Sequence, residues 1–276
     1  AAGTNSSNPV TQSFTALPNP SYSVLIAASD TTADAVYSTE WANKTTTDFV
    51  VGIFDDNGAA EATHYDWAAI PYGEYNFSNK YIKCGNLTTS VSSNPTVVSF
   101  ATAFPNTSYA VMAVSVDDDD DPAVAGNGVN NATSGHFRIN VEDADGTDEA
   151  VSDVNWCAFT TGEYTINGTE IKAGNASTDS SGGDGAVTFS TAFSSANYAV
   201  FAMDRVGTSA AQCVPEITVK TTTNFTAVFS DDAGTACTTK AFYWIAMEIG
   251  ESNLSDLMSV SLVSPTPANN TYTVNY

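Results

Sequence analysis

Apolar and polar residues alternate with a period of two along several stretches of the chain. Phe137, Ile139 and Val141 alternate with Arg138, Asn140 and Glu142, and Phe225, Ala227 and Phe229 alternate with Thr226, Val228 and Ser230. Successive side chains of a strand point to opposite faces, so this pattern predicts strands with one buried face. "YAVFAM" at Tyr198 is apolar on both faces and predicts a strand in the centre of a sheet. No stretch keeps a helical period over three turns. "DDNG" at Asp55, "DADG" at Asp143 and "DDAG" at Asp231 supply the positive φ of hairpin turns.

The strands recur. "TTTDFVVGIFDD" from Thr45 returns as "TTTNFTAVFSDD" from Thr221, with "TSGHFRINVEDADG" from Thr133 midway. "YDWAAIPYGEY", "VNWCAFTTGEY" and "FYWIAMEIGE" place Trp67, Trp156 and Trp244 at steps of 89 and 88 residues. "VVSFATAF" at Val97 matches "AVTFSTAF" at Ala186, and "KCGN" at Lys83 matches "KAGN" at Lys172. A period near 88 is about one immunoglobulin-sized domain and too long for a solenoid unit. The fold class read here is all-β: three tandem antiparallel β-sandwiches at residues 1–86, 87–175 and 176–251, with an extended C-terminal tail at 252–276.

Two terminal features stand out. On the lead-in strand Val98, Phe100 and Phe104 match Val187, Phe189 and Phe193. In repeat 1 the same positions fall on Thr11, Ser13 and Leu17, with Val10 and Phe14 on the other parity. That reads as a slip that turns the strand over. The tail reads as strands (Met258, Val260, Leu262, then Tyr272, Val274, Tyr276) without a counterpart in the repeat. Together they lead to the expectation that a terminal strand is donated to a neighbouring subunit, building a head-to-tail homopolymer. The competing reading packs both termini on their own subunit.

Composition narrows the function. The 276 residues carry a net charge of −23 from only eight Lys and Arg, and charged residues are 14% of the chain. Such a surface repels phosphate backbones and anionic lipid, which excludes nucleic-acid partners. No apolar run is long enough to insert in a membrane. A start at "AAGTNSS" without Met leads to the expectation of an extracellular, secreted protein. In that setting Cys84–Cys157 and Cys213–Cys237 are the expected disulfides, against four buried free thiols. Eleven sequons are candidate glycosylation sites: Asn5, Asn43, Asn76, Asn86, Asn106, Asn131, Asn167, Asn175, Asn224, Asn253 and Asn269. The bland reading is a Thr-rich composition inherited through duplication.

Chemistry is sparse. His64 and His136 occupy non-equivalent places and read as solvated loop residues. No nucleophile elbow, zincin, P-loop or dinucleotide fingerprint occurs, and a non-enzyme is expected. The acidic run at Asp117 and the "DADGTDE" turn hold candidate calcium ligands Asp143, Asp145 and Asp148, but lack the spacing of a twelve-residue calcium loop. Calcium is the one cofactor considered, and a solvated acidic turn the alternative.

"VTFSTAFSSANYAVFAMD", the strand starting at Phe225 and "YWIAMEIGE" resemble the H-type lectin domain and the related β-sandwich modules at the ends of phage tail fibres. That resemblance implies a sandwich fold, and sugar binding at the edges of a trimer. Asp30, Asp117 and Asp204 stand where the family's sugar-binding Asp would be, and Arg205 follows the third. The expected function is a structural subunit of an extracellular, pilus-like fibre, assembled in a way similar to donor-strand exchange. The alternative is a carbohydrate-binding adhesin or a phage receptor-binding fibre protein.

Overall fold

The computed structural model describes residues 10–29, 38–54, 64–88, 95–116, 128–130, 132–141, 153–205, 213–231, 235–252 and 258–263. Repeat 1 carries β1 (Val10–Ser13), β2 (Tyr22–Ser29), β3 (Ser38–Ala42), β4 (Asp48–Phe54), β5 (His64–Pro71), β6 (Gly73–Phe77) and β7 (Lys80–Leu87). Repeat 2 carries β8 (Thr96–Ser99), β9 (Tyr109–Ser115), β10 (Gly128–Asn130), β11 (His136–Asn140), β12 (Val154–Thr160), β13 (Gly162–Ile166) and β14 (Thr169–Ser177). Repeat 3 carries β15 (Asp184–Thr188), β16 (Tyr198–Asp204), β17 (Val214–Lys220), β18 (Asn224–Ser230), β19 (Ala241–Glu248), β20 (Gly250–Ser252) and β21 (Met258–Val263).

Each repeat contributes one three-stranded sheet, in the orders β1-β4-β3, β8-β11-β10 and β15-β18-β17. The four-stranded sheets are shared between repeats. The hairpin β6–β7 leaves repeat 1 and pairs with β12 of repeat 2, giving β6-β7-β12-β9. Hairpin β13–β14 does the same on β19, giving β13-β14-β19-β16. Hairpin β20–β21 returns to β5, giving β2-β5-β21-β20. Three sandwiches therefore close into a ring in which every repeat completes the next. The sequence period places the repeats at 1–86, 87–175 and 176–251, but each spatial sandwich takes its last two strands from the repeat before it.

Two terminal expectations are corrected. The tail does have a counterpart over Met258–Val263: Gly250 and Glu251 oppose Val260 and Ser259 as Gly73 and Glu74 oppose Cys84 and Lys83; Tyr272, Val274 and Tyr276 lie outside the described residues. Nor is β1 turned over. Gln12 opposes Phe49 as Val98 opposes Phe137 and Val187 opposes Phe225. Gln12 is the inward residue, and its buried amide is satisfied by the Tyr65 hydroxyl (3.3 Å) and by Ser13 O (2.9 Å). The shift of parity is a one-residue shortening of the following loop. Phe14 and Leu17 bond backbone to Thr47 and Thr46, where Phe100 and Phe104 bond to Gly135 and Ser134. Polar Gln12 hid the register. Both β1 and β21 pair within this chain.

Each sandwich holds the same aromatic cage. Phe14, Tyr22, Phe49 and Trp67 pack at 5.4–6.0 Å between ring centroids. Phe100, Tyr109, Phe137 and Trp156 repeat the arrangement, as do Phe189, Tyr198, Phe225 and Trp244. Edge-to-face contacts of this kind add to the area they bury. The indoles of Trp156 and Trp244 fit because the incoming hairpin has a glycine opposite them, whereas Trp67 faces Ser261. A Cβ on Gly85 would meet Trp156 at 2.9 Å, and one on Gly174 would meet Trp244 at 2.8 Å.

The opposite faces of the four-stranded sheets are also buried. Leu25, Met112 and Phe201 occupy equivalent places on β2, β9 and β16 and share one core with Ala68, Cys157 and Ile245. This core draws on all three repeats. The strands apolar on both faces are thus not central in their sheets: β2, β9 and β16 are edge strands. Their second apolar face is buried because the sheets pack against each other.

Candidate functional site: the corners between repeats

At two of the three corners the residue before the repeated Thr-rich turn meets the residue before the tryptophan of the next repeat. In corner 1 this is Lys44 against Asn155. Lys44 Nζ donates to Tyr22 O (2.8 Å), the Tyr72 hydroxyl (2.8 Å) and Asn155 Oδ1 (3.0 Å), and lies 3.9 Å from the Trp41 ring centroid. A cation over an indole face in a desolvated site is held by the ring's charge distribution. Trp41 itself bridges repeats, pairing in parallel with Val116. Ser23 Oγ, on the neighbouring strand, donates to both Gly85 O (3.0 Å) and Trp156 O (2.9 Å). Burial lowers the Lys44 ammonium to about 8, although Asp153 pulls it back up. Burial also raises the Asp153 carboxyl, against Lys44 and a hydrogen bond with Asn86.

Corner 3 has Lys220 against Asp66. Lys220 Nζ donates to both Asp66 oxygens at 3.0 Å and to Tyr198 O at 3.1 Å, and Val200 N donates to Asp66 Oδ2 at 2.7 Å. Asp66 is 1% exposed. Burial pushes its carboxyl up, while Lys220 and the Val200 N–H pull it down. Corner 2 has no lysine: Ala132 stands where the lysines are, and Tyr243, hydrogen-bonded to Arg205, where Asn155 and Asp66 are. Both pack in the central core.

A second set of contacts locks the hairpins. Lys83, fully buried, bonds Glu74 Oε2 at 2.8 Å and the carbonyl of Thr102. Glu74 accepts Ala101 N at 2.6 Å and Thr102 N at 2.9 Å. Lys172, Glu163, Ser190 and Thr191 reproduce this in the next hairpin, with Glu170 also 2.6 Å from Lys172. Burial alone would raise both glutamates. The Lys side chains and backbone N–H donors outweigh it and hold Glu74 and Glu163 below the usual range.

The residues singled out from sequence lie mostly elsewhere. Cys84–Cys157 joins β7 to β12 across repeats, and Cys213–Cys237 closes repeat 3. Asp204 is buried with Lys240 3.9 Å away, and exposed Arg205 sits over the Tyr243 ring at 5.5 Å. Asp30 and Asp117 lie outside the described residues, as do Asp143, Asp145 and Asp148. Asn43, Asn76, Asn86, Asn106, Asn167 and Asn175 are exposed and Asn224 is half-buried. Asn5, Asn131, Asn253 and Asn269 are outside the described residues. His64 is exposed in β5, and His136 Nδ1 is 3.1 Å from Thr133 Oγ1. Among the described residues no group of three His, Cys, Asp or Glu side chains converges as a metal site. No described helix is long and apolar enough to cross a membrane.

The corner residues escaped the sequence reading, though a signal was there. "KTTTDF" and "KTTTNF" share their lysine, in a chain with only eight basic residues. A scarce cation kept at one place of a repeat marks a specific partner.

A family model described as putative tail fiber protein gp53-like, C-terminal, matches residues 82–159 and again 167–248. Each match runs from the second strand of an incoming hairpin to the tryptophan strand, which is the spatial sandwich rather than the sequence repeat. No curated protein and no solved structure matches the chain.

Proposed function

The chain belongs to the putative tail fiber protein gp53-like C-terminal family, and from that premise we propose that it is the surface-attaching end module of an extracellular, virion-associated fibre. Three sandwiches of one chain take the place of the trimer implied by the H-type lectin resemblance. The observation that carries this reading is ring closure: β21 pairs with β5, so the last repeat completes the first. With β1 and β21 both paired inside the chain, the geometry favours an attachment module over a strand-donating polymer subunit. Self-association then runs through outer surfaces or chain beyond the described strands. Exposed Arg205 beside Asp204, with its guanidinium steadied by Tyr243, is a described feature suited to a surface glycan.

Binding of the purified chain to host cells and to a glycan array tests this. A sharp sugar preference lost in Arg205→Ala supports it. Filament formation with no cell or glycan binding would return the protein to the structural-subunit reading. Glycan on the exposed sequons is a separate part of the proposal, checked by the intact mass of native protein against the 28.8 kDa chain.

A further inference from the structure

Corner 1 brings together the reactants of a condensation. Lys44 Nζ is hydrogen-bonded to the Asn155 carboxamide oxygen at 3.0 Å, which sets the amine beside Asn155 Cγ. Asn155 is fully buried, and its Nδ2 has no hydrogen-bond partner. Asp153, two residues earlier on the same strand line and therefore on the same face, has a buried Oδ1 that is also without a partner. Trp41, Tyr22 and Tyr72 enclose the lysine, with ring centroids 3.9, 5.3 and 5.1 Å from Nζ. A half-buried amine held against a carbonyl, with an acid on the same face, becomes a nucleophile toward Asn155 Cγ once its ammonium releases a proton to solvent, because as an ammonium its three N–H groups are spent on Tyr22 O, the Tyr72 hydroxyl and Asn155 Oδ1.

We propose that Lys44 and Asn155 form an intramolecular isopeptide bond that covalently joins repeat 1 to repeat 2. The neutral Lys44 amine attacks Asn155 Cγ and forms the new C–N bond. The bond from Cγ to Nδ2 breaks, and Nδ2 leaves as ammonia. Asp153 relays a proton from the Lys44 nitrogen to the departing Nδ2, ending in its starting state. No oxidant, metal or cofactor enters the balance. The depressed ammonium of Lys44 and the raised carboxyl of Asp153 agree with these roles. Corner 3 is a built-in contrast. Asp66 is a carboxylate engaged by Lys220 on both oxygens and by Val200 N, a poor electrophile, and the position equivalent to Asp153 is His64, which is exposed. Corner 3 remains an ion pair.

Peptide mass mapping of the full-length chain tests the proposal. The expected result is a joined peptide containing Lys44 and Asn155, lighter than its two parts by one ammonia, with tryptic cleavage after Lys44 blocked. Lys44→Arg and Asp153→Asn should each abolish the joined peptide while leaving the circular dichroism of a β protein. Separate, unmodified Lys44 and Asn155 peptides from the folded wild-type chain would overturn the proposal, and this readout needs no variant to fold. A joined peptide persisting in Asp153→Asn would overturn the role given to Asp153.

Discussion

The first and last junctions of the ring do the same job with different chemistry. Between repeats 1 and 2 the hairpin is locked by Glu74–Lys83 and by Cys84–Cys157, and the corner by Lys44 on a neutral amide. Between repeats 3 and 1 the closing hairpin sets Ser259 opposite Glu251, where its counterparts have Lys83 and Lys172, and Val260 where the first has Cys84. Its corner carries the one Lys–Asp pair of the three. The middle junction keeps the Glu163–Lys172 lock but has Ala132 and Tyr243 at its corner, with Arg205 on the tyrosine. Each junction thus has its own combination of hairpin lock and corner. Three related repeats could pair in a wrong order or close on a second chain, and unlike corners disfavour that, because a mismatched corner buries an unpaired Lys or Asp.

The comparison can be broken most strongly at corner 3. Asp66→Ala leaves Lys220 beside an apolar interior and should cost about 3–5 kcal/mol, as removal of one partner of a buried pair does. Denaturant unfolding monitored by tryptophan fluorescence reads it. A cost below about 1 kcal/mol would give this pair the weight of a surface bridge.

The disulfide at the first junction comes next. Cys84 and Cys157 are 73 residues apart in sequence. Replacing both by Ala releases the unfolded chain and should cost about 2–4 kcal/mol. The middle junction, with Ala173 and Ile245 in the same places, should be indifferent to that double replacement. If the replacement loosens both hairpins equally in hydrogen exchange, the junctions are not independent.

Gly174→Ala should cost about 1–3 kcal/mol by overpacking, because its Cβ would press into the Trp244 ring. A neutral change, measured by thermal unfolding, would mean that hairpin β13–β14 can lift away from β19 without penalty.

The smallest effect is the acid response of the two locked hairpins. Glu74 and Glu163 have folded values below their unfolded ones. Their contribution is complete above the ordinary glutamate range and is lost as pH falls through the folded values. Glu74→Gln with Glu163→Gln should flatten that part of the stability–pH curve. An unchanged curve would assign the acid sensitivity to other carboxylates.

Much of this was legible in the chain. The period of two placed the strands, and the recurring Phe, Tyr and Trp the three cages, because burial of alternate side chains is a local property of the sequence; the turns expected at Asp55 and Asp143, and all but Asp231 of the third, lie outside the described residues. The second apolar face of "YAVFAM" was visible too, but the sequence could not say whether a sheet neighbour or another repeat would cover it. Gln12 misled because a buried amide satisfied by Tyr65 looks like a solvent-facing residue. Asp204 and Arg205 could be singled out from the motif, whereas Asn155 and Asp66 could not. Their partners, Lys44 and Lys220, lie 111 and 154 residues away. Above all, the sequence made three hairpins and the tertiary structure decided where each one goes. Backbone hydrogen bonds are the same for every strand, so a hairpin's pattern names the face it buries and not the sheet it joins. That choice falls to side chains brought together only by folding: Gly85 and Gly174 under an indole, Lys83 and Lys172 on a neighbour's carbonyl, and Lys220 on Asp66 across the seam that closes the ring.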